Sequence, residues 1–169
     1  MSPKSNQPIE LLKSGQLLAI TDSENSGIIL QKPFFAEFIG PGAAIGGLFD
    51  LNCVTIYTLG QAEFTVPATL EERQLAFRSR IDDIASMQTL CQAEAPLRRA
   101  IDLLDMLCSR FSTDEIRSIP NDVLSKVVGV MPGTIAMAWQ KQFNLQSPAD
   151  LADTTEEYDG RLFVTATPV

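Results

Sequence analysis

Acid–base and nucleophilic chemistry need positioned partners, and this chain offers few. It has no histidine, which removes the commonest general base, the usual partner of a nucleophilic serine or cysteine, and the commonest zinc ligand. Cys53, Cys91 and Cys108 are far apart and form no CxxC pair. They read as small buried residues with reduced thiols, not as metal ligands or a disulfide framework. Glu71-Glu72, Asp82-Asp83 and Glu156-Glu157 are carboxylate pairs of adjacent residues. Neighbours on a helix diverge by about 100°, so such pairs make poor dyads and read as solvated faces. No GxxxxGK[ST], GxSxG or GxGxxG occurs. The expectation is a protein that is not an enzyme and holds no metal or cofactor.

Recognition of a nucleic acid is the other chemistry to weigh, and it centres on VGVMPGTIAMAWQKQF, residues 128–143. Base edges are read by Arg, Asn or Gln in bidentate contact. Here Lys126, Thr134, Gln140 and Lys141 are the candidate DNA contacts. The formal charge of the chain is −8, so any nucleic-acid contact needs a local basic patch. Over 119–143 that patch is thin: Asp122 stands against Lys126 and Lys141, a net of +1. Over 144–169, five carboxylates (Asp150, Asp153, Glu156, Glu157, Asp159) stand against Arg161, a net of −4. The six to ten phosphate contacts of a tight binder cannot be assembled from this supply.

The elements that must position these residues follow from patterning. Residues 1–8 are polar with two prolines and should fray. From 9 to 67, short runs rich in β-branched and aromatic residues (16–20, 28–30, 34–39, 44–51, 53–59, 62–66) alternate with Gly- and Pro-bearing turns. They imply a small β-barrel or sandwich. The pattern changes at Thr69: 70–94 lacks Gly and Pro, and Leu70, Phe77, Ile84 and Cys91 recur every seven residues, with Ile81 and Met87 widening the stripe. Such a repeat marks a helix that packs along another, so Leu70, Phe77, Ile81, Ile84 and Cys91 are expected at a homodimer seam. Leu97, Ile101, Leu104, Cys108 and Phe111 form one apolar helix face. A further helix opens after Pro120, and Gly129 supplies a turn before another that starts at Pro132 or Gly133. Asp159-Gly160 and RLFVTATPV read as a terminal hairpin. No apolar run approaches the ~20 residues of a membrane span. A cytoplasmic location without membrane association is expected.

This order of parts resembles the Crp/Fnr superfamily of bacterial transcription regulators. AEAPLRRAIDLLDMLCSRF is similar to that family's helix leading into its DNA-binding domain. In the stretch 120–130, Leu124, Ser125 and Gly129 fall at its leucine, alanine and turn-glycine positions. GPGAAIGGLFDL (40–51) and TIYTLGQAEFTVPATLEERQLA (55–76) resemble the end of a cyclic-nucleotide-type β-roll running into its long helix. The resemblance implies an α+β fold: a reduced effector domain over 1–68, a dimer helix over 69–94 and a winged helix-turn-helix over 95–169. It also implies that the base-reading positions are Pro132, Gly133, Ala136 and Met137, none able to bond a base edge through its side chain. Gly46 is followed by Gly47 where the family has its ribose-binding glutamate, and no Lys or Arg lies between Gly42 and Glu72. A phosphate buried without counter-charge is disfavoured, so cyclic nucleotide is not expected as an effector. Two functions remain in view: a dimeric transcription regulator with weak DNA contact, and a relative whose Met131, Pro132, Ala136 and Met137 face binds another protein.

Overall fold

The computed structural model describes residues 7–144. The terminal hairpin expected after Asp159 lies outside these residues. The fold is mixed α+β. Helix α1 (Gln7–Lys13) comes first, where strand structure was expected from residue 9. Strands β1 (Leu17–Ile20), β2 (Ser26–Gln31), β3 (Ala36–Ile39), β4 (Ala44–Gly46), β5 (Thr55–Gly60) and β6 (Phe64–Thr65) follow, with one 3-10 turn at Gly47–Phe49. Then come α2 (Leu70–Cys91), α3 (Pro96–Cys108), α4 (Thr113–Arg117), α5 (Asn121–Val128) and α6 (Pro132–Asn144).

No barrel closes among the described strands. They divide into two antiparallel three-stranded sheets, ordered β4-β1-β6 and β3-β2-β5. Side chains alternate across a strand, and here both sides of the alternation are buried. Leu18, Ile20 and Ile45 of the first sheet meet Ile28, Leu30 and Ile39 of the second in one core. The opposite face of the second sheet carries Ile29, Phe38 and Leu59 into a larger core with Leu103, Leu104, Leu107 and Phe111 of the α3 region. That larger core also takes Val123, Leu124, Ile135 and Ala138 from α5 and α6, so strands and C-terminal helices share one interior. Gly27 makes this possible: a Cβ there would lie 3.0 Å from the Phe111 ring and 3.1 Å from that of Phe38. The two rings meet edge to face at 6.2 Å.

Helix α2 begins where the chain supplies a capping box. Glu72 N–H donates to Thr69 Oγ1 at 3.1 Å, and Thr69 N–H donates to Glu72 Oε2 at 3.0 Å. Its inward face is Ala76, Arg80, Asp83, Met87, Leu90 and Cys91; of the heptad set Cys91 joins this face and Phe77 packs at its edge, while Leu70 and Ile84 face outward. Ala76 packs on Ala19 and Ala44. The Gly40 N–H donates to Asp83 Oδ2 at 2.8 Å, so Asp83 is turned inward instead of forming a solvated face with Asp82. Met87, Leu90 and Cys91 join the larger core. A second capping box, Ser112 with Glu115, starts α4, and Glu115 also accepts from the Gly60 N–H at 3.2 Å.

Two glycines separate backbone conformation from crowding. Gly60 has φ 60° and a Cβ there would sit 2.1 Å from the Asn25 carbonyl oxygen, whereas Gly129 has φ 63° with open space around it. Gly129→Ala should therefore cost about 1 kcal/mol. Gly60→Ala should cost more, at least about 2 kcal/mol, because the clash adds to the left-handed conformation. Urea unfolding of the two variants checks the order, and equal costs would contradict it.

Candidate functional site

Helices α5 and α6 are joined by a turn that Gly129 makes possible, with φ 63° and ψ 48°. Gly129 N–H and Val130 N–H both donate to the Ser125 carbonyl, closing the end of α5. Pro132 opens α6, where its missing N–H costs nothing. The pair is held from below by α3, against which α6 lays Ile135 and Ala138. Arg99 ties the turn down by donating to Ala93 O at 3.1 Å and to Gly129 O at 3.3 Å. Trp139 stays partly buried beneath the Arg117 guanidinium, 5.3 Å from its ring centroid.

The sequence-derived contact residues are only partly brought together. Gly133, Met137, Gln140 and Lys141 follow helical spacing along one face of α6, and all four are exposed. Thr134 is half-buried beside that face. Lys126 lies on α5 and its ammonium is 2.8 Å from Asp122 Oδ2, so part of its charge is already engaged. Met131 and Met137 are 74% and 50% exposed. The outer face of α6 is therefore more apolar than basic.

The residues expected at a dimer seam divide in the same way. Leu70, Ile81 and Ile84 point outward. Phe77 is half-buried with its ring edge to face against Phe49 at 6.1 Å. Cys91 turns toward α5, its Sγ 4.0 Å from the Val127 carbonyl oxygen. Burial pushes the thiols of Cys53, Cys91 and Cys108 up, so they stay protonated and poorly nucleophilic.

A second candidate site was not legible from motifs. A cavity of about 380 Å³ opens between the β4 region and α2, with Leu17, Ile45, Phe49, Phe77, Ile81 and Ile84 among its walls. Its polar lining is an ionic ring. Lys32 Nζ lies 3.3 Å from Glu37 Oε1 and 3.0 Å from Asp50 Oδ1. Arg80 bonds Glu37, sits 3.5 Å from Asp50 Oδ1 and donates to the Ala44 carbonyl at 2.9 Å. Asp50 is buried and also accepts from the Gly46 N–H at 2.8 Å. The window 43–71 lacks basic residues, yet two cations reach the cavity from outside it, Lys32 next to β2 and Arg80 from α2. Counting charge along the sequence missed them because four separate segments supply the ring. Two cations against two carboxylates leave no net charge there. A phosphate would have to displace Glu37 or Asp50 from its partner.

No family model, curated protein or solved structure matches the chain. No group of metal-ligating side chains occurs among the described residues. No described helix is long and apolar enough to cross a membrane.

Two electrostatic tests follow from these distances. Arg80→Met leaves Glu37 and Asp50 sharing Lys32. Breaking a buried pair costs about 3–5 kcal/mol, and the lower end is expected here because Glu37 keeps some water contact. Lys126→Ala breaks only an exposed helix pair and should cost under about 1 kcal/mol. Denaturant unfolding at neutral pH compares them, and a near-neutral Arg80→Met would mean that the ring contributes no stability.

Asp83 supplies the pH test. Burial pushes its carboxyl above the ordinary range, against the Gly40 N–H, Arg110 and Arg80, which pull it down. A raised folded-state pKa means that the ionised form is disfavoured in the fold. Stability from this group is full below the ordinary carboxylate range and is lost as pH rises through the raised value. Asp83→Asn, whose amide oxygen can still accept from Gly40, should gain stability over wild type at pH 7. The gain should vanish near pH 3, where both proteins are neutral at this position. Urea midpoints across that range decide it; a variant less stable at pH 7 contradicts the assignment.

Proposed function

We propose that α5 and α6 act as a helix-turn-helix that touches duplex DNA weakly and mainly through phosphate, in a transcription regulator of Crp/Fnr type that does not use cyclic nucleotide. The observation that carries this reading is the α5–Gly129–α6 arrangement mounted on α3, with the Gly133, Met137, Gln140 and Lys141 face turned away from that mount. Gln140 has the donor–acceptor amide that pairs with adenine, and Lys141 can meet a phosphate. The reading is non-enzymatic. A reducing cytoplasm suits the free thiols Cys53, Cys91 and Cys108. The charge-balanced ring in the cavity supports the exclusion of a cyclic phosphate.

A second reading is favoured by one observation: Met131 and Met137 stand exposed on the turn and helix where base readers would stand. Flexible thioethers suit an adaptable protein contact, and in this reading the α6 face has exchanged DNA for a protein partner.

Fluorescence anisotropy with duplex DNA over a salt series separates the two. Under the DNA reading, binding at low salt falls steeply with added salt. Lys141→Ala flattens the log–log slope by roughly 0.9 for each phosphate that the lysine had neutralised, while Met137→Ala changes affinity little. No binding even at low salt would sink the DNA reading and leave the protein-contact reading. A nanomolar, sequence-specific site that survives physiological salt would overturn the claim of weak contact.

A further inference from the structure

Strand β5 is an edge strand without the usual protection. Its sequence, TIYTLG, carries no charge and no proline, and its register with β2 runs from Thr55 opposite Gln31 to Gly60 opposite Ser26 without a bulge. Sheet edges are ordinarily guarded by lysine, proline, a bulge or a covering element. Of the other edges, β3 has α2 and α5 packed along it, β4 has α1 and α2, and β6 is only two residues long. Strand β5 meets α1 and α4, yet Thr58 stays exposed and Ile56 and Tyr57 are only half-buried. The direction of its backbone groups is fixed by three bonds. The Asn25 and Gln31 carbonyls accept from Gln61 and Val54, so β2 turns Gly27, Ile29 and Gln31 toward β5, opposite Leu59, Tyr57 and Thr55. The Gly60 N–H turns the other way, to Glu115 Oε1 at 3.2 Å. Ile56 and Thr58 share the phase of Gly60 in the ladder. Their N–H and C=O groups point away from β2, and among the described residues no partner meets them.

We propose that the chain's own residues 161–166, RLFVTA, add to this edge as a fourth strand of the sheet, antiparallel to β5, and so strap the α5–α6 unit to the strands. Position and length favour this occupant. Trp139 of α6 lies 5.3 Å from the Arg117 guanidinium, and Glu115, on the same short helix α4, holds the Gly60 N–H. Only α4, about 8 Å long, separates this part of α6 from the end of β5. Residues 145–160 join Asn144 to the segment and can span about 50 Å, more than the path needs. They arrive from the Gly60 end, so the added strand runs back toward Thr55. Composition agrees with position. Beyond Arg161 the segment is uncharged, and Phe163, Val164 and Thr165 are aromatic or β-branched like the residues of β5. The carboxylates between Asp150 and Asp159 stay in the connection, and Pro168 ends the pairing. In strand addition of this kind main-chain hydrogen bonds hold the new strand, so Ile56 and Thr58 supply the site with their backbones. This inference needs nothing from DNA, and its test contains none.

Amide hydrogen exchange of the full chain, read residue by residue by NMR, tests the strap. The Ile56 and Thr58 amides should be protected in the wild type. Val164→Pro removes a donor from the added strand and should speed their exchange at least about tenfold, while Tyr57 and Leu59, bonded to β2, keep their rates. Unprotected Ile56 and Thr58 amides in the wild type, or protection that survives Val164→Pro, would overturn the proposal. Protection that grows with protein concentration, together with a doubled sedimenting mass, would assign the edge to β5 of a second copy and overturn it as well. If Val164→Pro fails to fold, cross-strand nuclear Overhauser contacts in the wild type between residues 55–60 and 161–166 decide: their presence supports the strap and their absence overturns it.

Discussion

Strand β2 is the element on which both interiors depend. It is buried from Ser26 to Leu30, and its neighbours in the sheet are β3 and β5. Ile28 and Leu30 enter the core between the sheets, while Ile29 enters the core shared with the helices. A slip of one residue would exchange these faces. The apolar side chains alone would resist that poorly, because isoleucine lies on both sides. Gly27 makes the register specific: only a residue without a side chain lets the Phe111 and Phe38 rings come so close. Ser26 closes the strand's start by donating to the Thr21 and Ser23 carbonyls at 2.8 and 2.7 Å. The helical half is thus registered on the strand half through a position that carries no side chain.

The second constraint is the burial of ions under α2. Bringing Lys32, Glu37, Asp50 and Arg80 out of water costs several kcal/mol per ion unless each finds partners. Here every member has at least two, and the geometry demands that β3, the loop after the 3-10 turn and α2 hold fixed positions together. The ring therefore specifies placement more than it adds stability. Asp83 repeats the device one turn along the same helix through the Gly40 N–H. With Arg80 and Asp83 turned inward at its middle, α2 leaves Leu70, Ile81 and Ile84 outward, while Ala76, Met87, Leu90 and Cys91 still pack on its own domain.

Local signals and long-range ones differed in what could be read from sequence. The strands sit within or beside the runs of β-branched and aromatic residues, bounded by Gly and Pro, because their turns are written locally. Thr69 and Ser112 mark helix starts through capping boxes whose partners lie three residues away. Gly129 marks the α5–α6 turn because the left-handed conformation needed there is signalled by the glycine itself. By contrast, the division into two sheets depends on which strands pair, and nothing within a strand states its partner. The ionic ring joins positions 32, 37, 50 and 80, each ordinary in its own neighbourhood. The periodicity at 70, 77 and 84 was legible, but which face of α2 it occupied was not, because Arg80 and Asp83 look like solvent residues until their partners are known. Helix α1 was missed because two prolines and polar neighbours mask a seven-residue element.

The α6 face shows how the same scaffold can hold function loosely. Its inward residues are constrained: Ile135 and Ala138 are fully buried in the core shared with α3 and α5, and the turn before them is tied by Arg99. Its outward residues carry no such constraint. Gly133 has open space where a Cβ would stand and Met137 is half in solvent, so substitutions there would change what the helix meets without changing how it sits. A base-reading surface and a protein-binding surface can therefore occupy one rigid mount, separated by a few side chains that contribute little to folding. Under the two proposed readings, Lys141 and Gln140 would favour nucleic acid and Met131 and Met137 would favour protein, while the chain's acidic balance opposes any phosphate backbone.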